Sequence, residues 1–193
     1  MTTLHFVRHC DVHNPDGLIY GRLKGFGLSE LGRAQAERLA RFFSDRPVAA
    51  IYSSPQLRAM QTARVIRRHH PGVVVRTSRR LAEVFTSYQG LKLTDVPATI
   101  NMFDNPKDSG DETMTDVYRR MRTFVDRVTC AHEGSEVVCI SHAAPIAILR
   151  AGIEGRPLTV ESIRGVNEPQ KGSITALIFE PDAAPTFQYI GCP

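Results

Sequence analysis

Apolar positions along this chain follow two alternating periods. Short runs at residues 4–7, 48–52 and 137–140 are too brief for helices, are rich in Val and Ile, and read as strands. Between them the apolar residues recur at helical spacing. Ala36, Leu39, Ala40 and Phe43 give a buried face to a helix from 30 to about 43, with Ser29 placed to cap it. Leu57, Met60 and Ala63 do the same for a helix from 55 to about 69, opened by Pro55 and closed before Gly72. A β-rich piece follows at 73–76. Val117, Met121, Phe124, Val125 and Val128 line a helix from 113 to about 130, and residues 145–153 form another behind Pro145. Residues 173–179 and 186–190 read as late strands, antiparallel to each other at a sheet edge.

Two stretches break the pattern. Residues 11–27 are rich in Gly, Asn, Pro and Asp and read as a loop wrapped around a site. The segment from 81 to about 112 has no period and reads as an insertion over that site, with room for a short helix. Strands alternating with helices predict an α/β fold: a three-layer α/β/α sandwich with a mostly parallel central sheet. At 193 residues one domain over 1–193 is expected.

Composition narrows the function. A net charge of +4, with no long Lys/Arg block and no aromatic–basic interleaving, argues against nucleic acid as a partner. No apolar stretch reaches the length of a membrane span, since the richest, 143–153, is interrupted by Arg150. The N-terminus has no basic region followed by an apolar run, so no secretory signal and a cytoplasmic location are expected. Cys10, Cys130, Cys139 and Cys192 match no metal-ligand spacing and are expected as free thiols, Cys139 in the core. The oligomeric state is open and admits a homodimer.

The chemistry collects where strands end. The first strand runs directly into Arg8-His9, the second into Ser53-Ser54 with Arg58 close behind, the third into Ser141-His142. Ligands of α/β proteins gather at the carboxyl ends of strands. Two Arg and two His brought there form a basic pocket, aided by N–H donors at helix N-termini. A neutral imidazole is a competent nucleophile, and nearby guanidiniums disfavour its protonated form. Guanidiniums also grip phosphate oxygens through a fork that Lys lacks. We therefore read His9 as a nucleophile for phosphoryl transfer, Arg8 and Arg58 as phosphate holders, and His142 as a donor to a phosphate oxygen. Glu83 is the candidate proton donor to the leaving group, with Asp95, Asp111 and Glu112 as competitors. Tyr20 and Arg22 are candidate substrate contacts in the loop. His13 is a further candidate contact, while His5, His69, His70 and His132 are read as surface or loop groups. A cysteine-phosphatase reading of Cys10 lacks an Arg in the short loop behind it, since residues 11–17 supply none.

These segments resemble the histidine phosphatase superfamily, the phosphoglycerate-mutase-like proteins of branch 1. The family's Arg-His-Gly stands as Arg8-His9-Cys10. Its Leu-[Ser/Thr]-x-x-Gly-x-x-Gln-Ala segment appears as Leu28-Ser29 through Gly32 to Gln35-Ala36. Its Ser-Ser-x-x-x-Arg-Ala-x-Gln-Thr-Ala segment appears as Ser53-Ser54 through Arg58-Ala59 to Gln61-Thr62-Ala63, and its second Ser-His as Ser141-His142. The resemblance implies a phosphoglycerate-mutase-like fold, a phosphohistidine on His9, a phosphate pocket of Arg8, Arg58 and His142, an added contact from Asn14, and Glu83 as proton donor. It implies no metal and no organic cofactor. The expected activity is hydrolysis of a small phosphorylated metabolite. Mutase-like phosphotransfer is one alternative. A weakened member that only binds a phospho-ligand is another, motivated by Cys10 in place of Gly and by Ala143-Ala144 in place of two glycines.

Overall fold

Side-chain alternation along the strands decides which layer each residue joins. The computed structural model describes residues 1–97, 100–103 and 105–193. In β1 (Thr2–Arg8), Leu4 and Phe6 face one side of the sheet and Val7 the other. In β4 (Glu136–Ser141), Val137 and Cys139 face the first side, Val138 and Ile140 the second. The first side is covered by α3 (Met114–Ala131) and α4 (Ala143–Ile153), the second by α1 (Glu30–Phe43) and α2 (Leu57–Arg67). With β2 (Val48–Ser53), β3 (Val75–Thr77), β5 (Ile174–Phe179) and β6 (Thr186–Ile190), the sheet has six strands in the order β3-β2-β4-β1-β5-β6. The first four in that order are parallel, and β5 and β6 run antiparallel. This is the expected α/β sandwich, with β6 on the edge. Among the described residues no helix is long and apolar enough to cross a membrane.

Helix starts follow local chemistry. Ser29 caps α1 by accepting from the Gly32 N–H, and Thr113 and Asp116 form a reciprocal capping box on α3. The helix expected from Pro55 starts two residues later, because Gln56 keeps an extended backbone. The helix expected from Pro145 starts earlier, at Ala143. Pro145 then sits in the first turn, where its missing N–H costs no hydrogen bond. Strand β3 starts at Val75 rather than 73 because the Val73 N–H still closes a turn onto the His70 carbonyl. A short helix α5 (Val160–Ile163) and a 3₁₀ turn (Gly165–Asn167) occupy a segment without a sequence reading.

Two histidines depart from expectation. His5 lies inside β1 and is buried, its Nε2 2.9 Å from Glu136 Oε2 and its ring edge-on to Phe43. His70 is buried behind α2. Strand alternation sends His5 to the α1 face, where a polar ring is tolerated because a carboxylate at the sheet end takes its N–H. A 3₁₀ turn at Arg79–Leu81 leads into the 81–112 segment, and among its described residues the helical structure is a second 3₁₀ turn at Leu93–Asp95. Within that expected insertion Ala98, Thr99 and Asp104 lie outside the described residues.

Candidate active site

Strand register assembles the site. Arg8 of β1 pairs with Ser141 of β4, and Ser53 of β2 with Ile140 of β4. The next residues along each strand, His9, Ser54 and His142, therefore emerge side by side. Ladder bonds continue past the strand ends, from the His9 N–H to the Ser141 carbonyl (3.0 Å) and from the Ser54 N–H to the Ile140 carbonyl (2.9 Å). Arg58, second residue of α2, reaches over from the neighbouring helix N-terminus.

The protons can be assigned from the partners. His9 Nδ1 lies 2.8 Å from the Cys10 carbonyl, which can only accept, so Nδ1 carries the hydrogen and Nε2 the lone pair. Arg58 Nε donates to that Nε2 at 3.2 Å. His142 Nε2 is 2.7 Å from Ser54 Oγ, whose own hydrogen goes to Gln56 Oε1, so His142 Nε2 is the donor there. His142 Nδ1 is then the bare nitrogen, and it accepts from Arg58 Nη2 at 3.2 Å. One edge of the Arg58 guanidinium thus addresses a lone pair on each imidazole, with the two rings 5.0 Å apart. Its remaining partner is the Gly21 carbonyl, at 2.8 Å, and its plane lies 4.5 Å from the Tyr20 ring centroid. Arg58 has no exposed surface, and all of its hydrogen-bond partners are uncharged.

Burial, followed by the Arg58 charge, drives His9 well below the ordinary histidine range, with Arg8 and Lys171 adding smaller pushes. Burial and then Arg58 do the same to His142. The sequence argument named the guanidiniums as the cause of a lowered His9, and desolvation is the larger one. Glu83 moves the other way. Burial raises its carboxyl above the ordinary glutamate value, against the opposing pull of Arg58. Its Oε1 accepts the Val84 N–H at 2.9 Å and its Oε2 stands 3.6 Å from His142 Nδ1. Its rivals are committed elsewhere. Asp111 binds Ser87, Asp95 is exposed, and Glu112 is locked between two arginines.

That lock holds the Glu83 backbone. Glu112 accepts from Arg22 Nη2 (2.7 Å), Arg120 Nε (2.9 Å) and the Phe85 N–H (2.9 Å). Arg22 Nε in turn donates to the Glu83 carbonyl at 2.7 Å. Arg22 is therefore placed behind Glu83 rather than in the cavity lining. Arg8 and Asn14 do line the cavity, as do Tyr20 and Glu83. Arg8 makes no hydrogen bond to either imidazole. Its Nη1 donates to the Pro169 carbonyl (2.6 Å) and approaches Glu168 (3.4 Å), while its buried Nε has no partner among the described residues. Asn14 spends both ends of its amide on Leu18, shaping the loop. His13 is exposed and outside the lining. Glu168 and Lys171, which pairs with Asp11, were invisible in sequence because the stretch before β5 has no periodic signal.

The motif residues around His9 are scaffolding. Asp11, just past His9, is gripped by the start of α1: its carbonyl takes the Ser29 N–H (3.1 Å), its carboxylate the Ser29 hydroxyl (2.5 Å), and its N–H goes to Gln35 Oε1 (2.8 Å). A Cβ on Gly32 would sit 2.0 Å from the Asp11 carbonyl oxygen, so only Gly permits this approach. Gln61 and Thr62 of α2 hold the Leu28 and Cys10 N–H groups. Cys10 is fully buried in the apolar cluster with Leu28, Ala36, Ala59 and Ala63, and its thiol is pushed up to about 12 by that burial. Its φ lies outside the left-handed region, so no strain attends a Cβ there.

The family model of the histidine phosphatase superfamily (branch 1) matches residues 4–189. An uncharacterized protein of Mycobacterium tuberculosis is 36% identical over 188 residues, covering 94% of this chain and 92% of its own. Phosphoserine phosphatase 1 of Hydrogenobacter thermophilus is 29% identical over 173 residues, covering 82% and 79%. Among solved structures, a mycobacterial glucosyl-3-phosphoglycerate phosphatase in complex with VO3 is 27% identical, with TM-score 0.80 over 97% of this chain and 96% of that one.

Proposed function

The chain belongs to the histidine phosphatase superfamily, branch 1, and from that premise we propose that this phosphomonoesterase hydrolyses a small phosphorylated metabolite through a phosphohistidine on His9. One observation carries the reading. A fully buried guanidinium, Arg58, has only uncharged partners, and one of them is the lone pair of a neutral imidazole. A buried cation calls for a counter-ion, and a phosphate dianion beside His9 supplies it. Phosphatase names among the relatives support the same class of reaction.

In this reading His9 Nε2 attacks phosphorus, and the N–P bond forms as the ester P–O bond breaks. Arg58 transfers its donors to the phosphoryl oxygens, and Arg8 joins it by giving up its longer contact with Glu168. The dianion favours the protonated form of His142, which donates from Nδ1. Burial raises the Glu83 carboxyl and so favours its acid form, from which it gives a proton to the leaving oxygen. Water then attacks the phosphohistidine with Glu83 as base, releasing phosphate and free His9.

The test is hydrolysis of 4-nitrophenyl phosphate in the presence of chelator, by the wild type and by His9→Ala. Activity should survive chelator and fall by at least about a thousandfold in the variant. Rapidly quenched wild type should carry base-stable, acid-labile phosphate. Unchanged activity in His9→Ala overturns the mechanism, and transfer of label to a second hydroxyl without free phosphate overturns hydrolysis.

A further inference from the structure

A cavity opens beside the buried His9, Arg58 and His142, which are not part of its lining, and it meets the site through Arg8, Tyr20 and Glu83. Its volume is about 560 Å³, within the range of roughly 300–1,000 Å³ that takes up a drug-sized ligand. A three-carbon acid esterified to phosphate leaves much of such a space unfilled. Its walls are largely aliphatic and aromatic, from Ile19, Val84, Leu93, Met102, Phe103 and Ile163. Leu93 is 66% exposed and still lines the mouth, so it presents an apolar surface with no protein packed over it.

Charge on the lining points the same way. Among the described residues, the guanidiniums Arg8 and Arg164 share the lining with the carboxylates Asp16 and Glu168 and with Glu83, which the proposed mechanism holds protonated. Arg8 belongs to the phosphate end and is tied to Glu168. A carboxylate on the leaving group would find only the exposed Arg164, with Asp16 and Glu168 on the same walls. We propose that the enzyme selects phosphomonoesters of bulky, uncharged, largely apolar alcohols over phosphorylated hydroxy acids and amino acids. The proposal rests on the phosphatase reading. Transfer of an apolar leaving group onto these walls removes it from water, and each methylene-sized increment in a fitted pocket changes selectivity by about tenfold or more.

Four primary alkyl esters test it without differences in leaving-group reactivity: 2-phenylethyl phosphate, glycerol 1-phosphate, O-phosphoserine and 3-phosphoglycerate. The expected result is a kcat/KM for 2-phenylethyl phosphate at least tenfold above each of the others. Leu93→Asp, at an exposed position, should lower that value about tenfold, a larger loss than on glycerol 1-phosphate. Equal or better rates on the two acids overturn the proposal while leaving the phosphatase reading intact. So does a larger loss on phosphoserine than on 2-phenylethyl phosphate in Arg164→Ala, which would make Arg164 a carboxylate receptor. Failure to hydrolyse any ester, 4-nitrophenyl phosphate included, overturns both readings.

Discussion

The buried floor of the site and the walls of the cavity beside it are built on opposite principles. The floor stands on the carboxyl ends of β1, β2 and β4, whose register is fixed by parallel ladders, and its imidazoles and its Arg58 have almost no exposed surface. The walls come mostly from residues 14–21, 83–94, 102–103 and 163–168, and apart from Ala143 and Ala144 in the first turn of α4 their regular structure among the described residues is limited to 3₁₀ turns, a four-residue helix and the isolated bridge between Leu18 and Lys92. In the proposed mechanism, rigid strands hold the groups that meet the phosphorus atom, while loops carry the surface that meets the variable part of the substrate. Chemistry and selectivity are thereby assigned to separate parts of the chain, and the two respond differently to mutation.

The sharpest separation comes from Arg58. Holding a guanidinium in the interior with uncharged hydrogen-bond partners costs desolvation that the nearby Glu83 charge offsets only in part. Arg58→Met should lower kcat/KM by at least about a thousandfold while thermal unfolding stays equal to the wild type or moves higher. A large loss of stability would make Arg58 structural and dissolve the distinction between floor and scaffold.

Glu83 stands where floor and wall meet. Glu83→Gln removes the transferable proton and should reduce kcat by about 10²–10⁴-fold. The pH profile carries the sign. His9 is held well below its ordinary value, so the nucleophile stays neutral and active into the acid range. Glu83 is raised and must be protonated for the first step, so kcat/KM should fall as pH rises through its elevated pKa. That basic limb should vanish in Glu83→Gln. A limb that persists unchanged assigns it to another group.

Glu112 tests whether a residue behind the wall can act on the chemistry at a distance. It is not part of the cavity lining but ties Arg22 and Arg120 behind the Glu83 carbonyl. Glu112→Gln leaves two partly buried guanidiniums without their carboxylate. We expect a loss of about 1–3 kcal/mol in stability and about a tenfold fall in kcat, with the basic limb displaced. A stability loss with an unmoved limb would reduce the cluster to a brace.

The same division explains what could be read from the sequence. The floor was legible because each strand has a local apolar signature and each is followed at once by its chemistry, as in Val7-Arg8-His9 and Ile140-Ser141-His142. Helix α1 was legible to the residue because Ser29 caps it and Ala36, Leu39, Ala40 and Phe43 keep one face. The walls were not, because their shape comes from pairings across large sequence separations, such as Arg22 with Glu112 and Arg8 with Glu168. No local period encodes such contacts. Arg22 is instructive: a polar residue in a loop beside the site looks like a substrate contact, and only the fold reveals that its fork is turned toward the Glu83 carbonyl.

The smallest effect is expected at Cys10, the position that looks most provocative in sequence. It follows His9 directly, yet its side chain leaves the floor and packs with Leu28, Ala36, Ala59 and Ala63 under α1 and α2. Burial holds the thiol protonated near 12, which removes it as a competing nucleophile. What reaches the chemistry is backbone: the Cys10 carbonyl, which fixes the His9 tautomer, and its N–H on Thr62. Both are kept in Cys10→Gly. We therefore expect kcat/KM to change by less than about threefold. Stability should fall by about 1–2 kcal/mol from the lost side-chain packing and the greater freedom of Gly in the unfolded chain. A large gain in activity from a near-zero baseline would mean that the Cβ distorts the floor, and that the walls enclose a site which binds phosphate esters without turning them over.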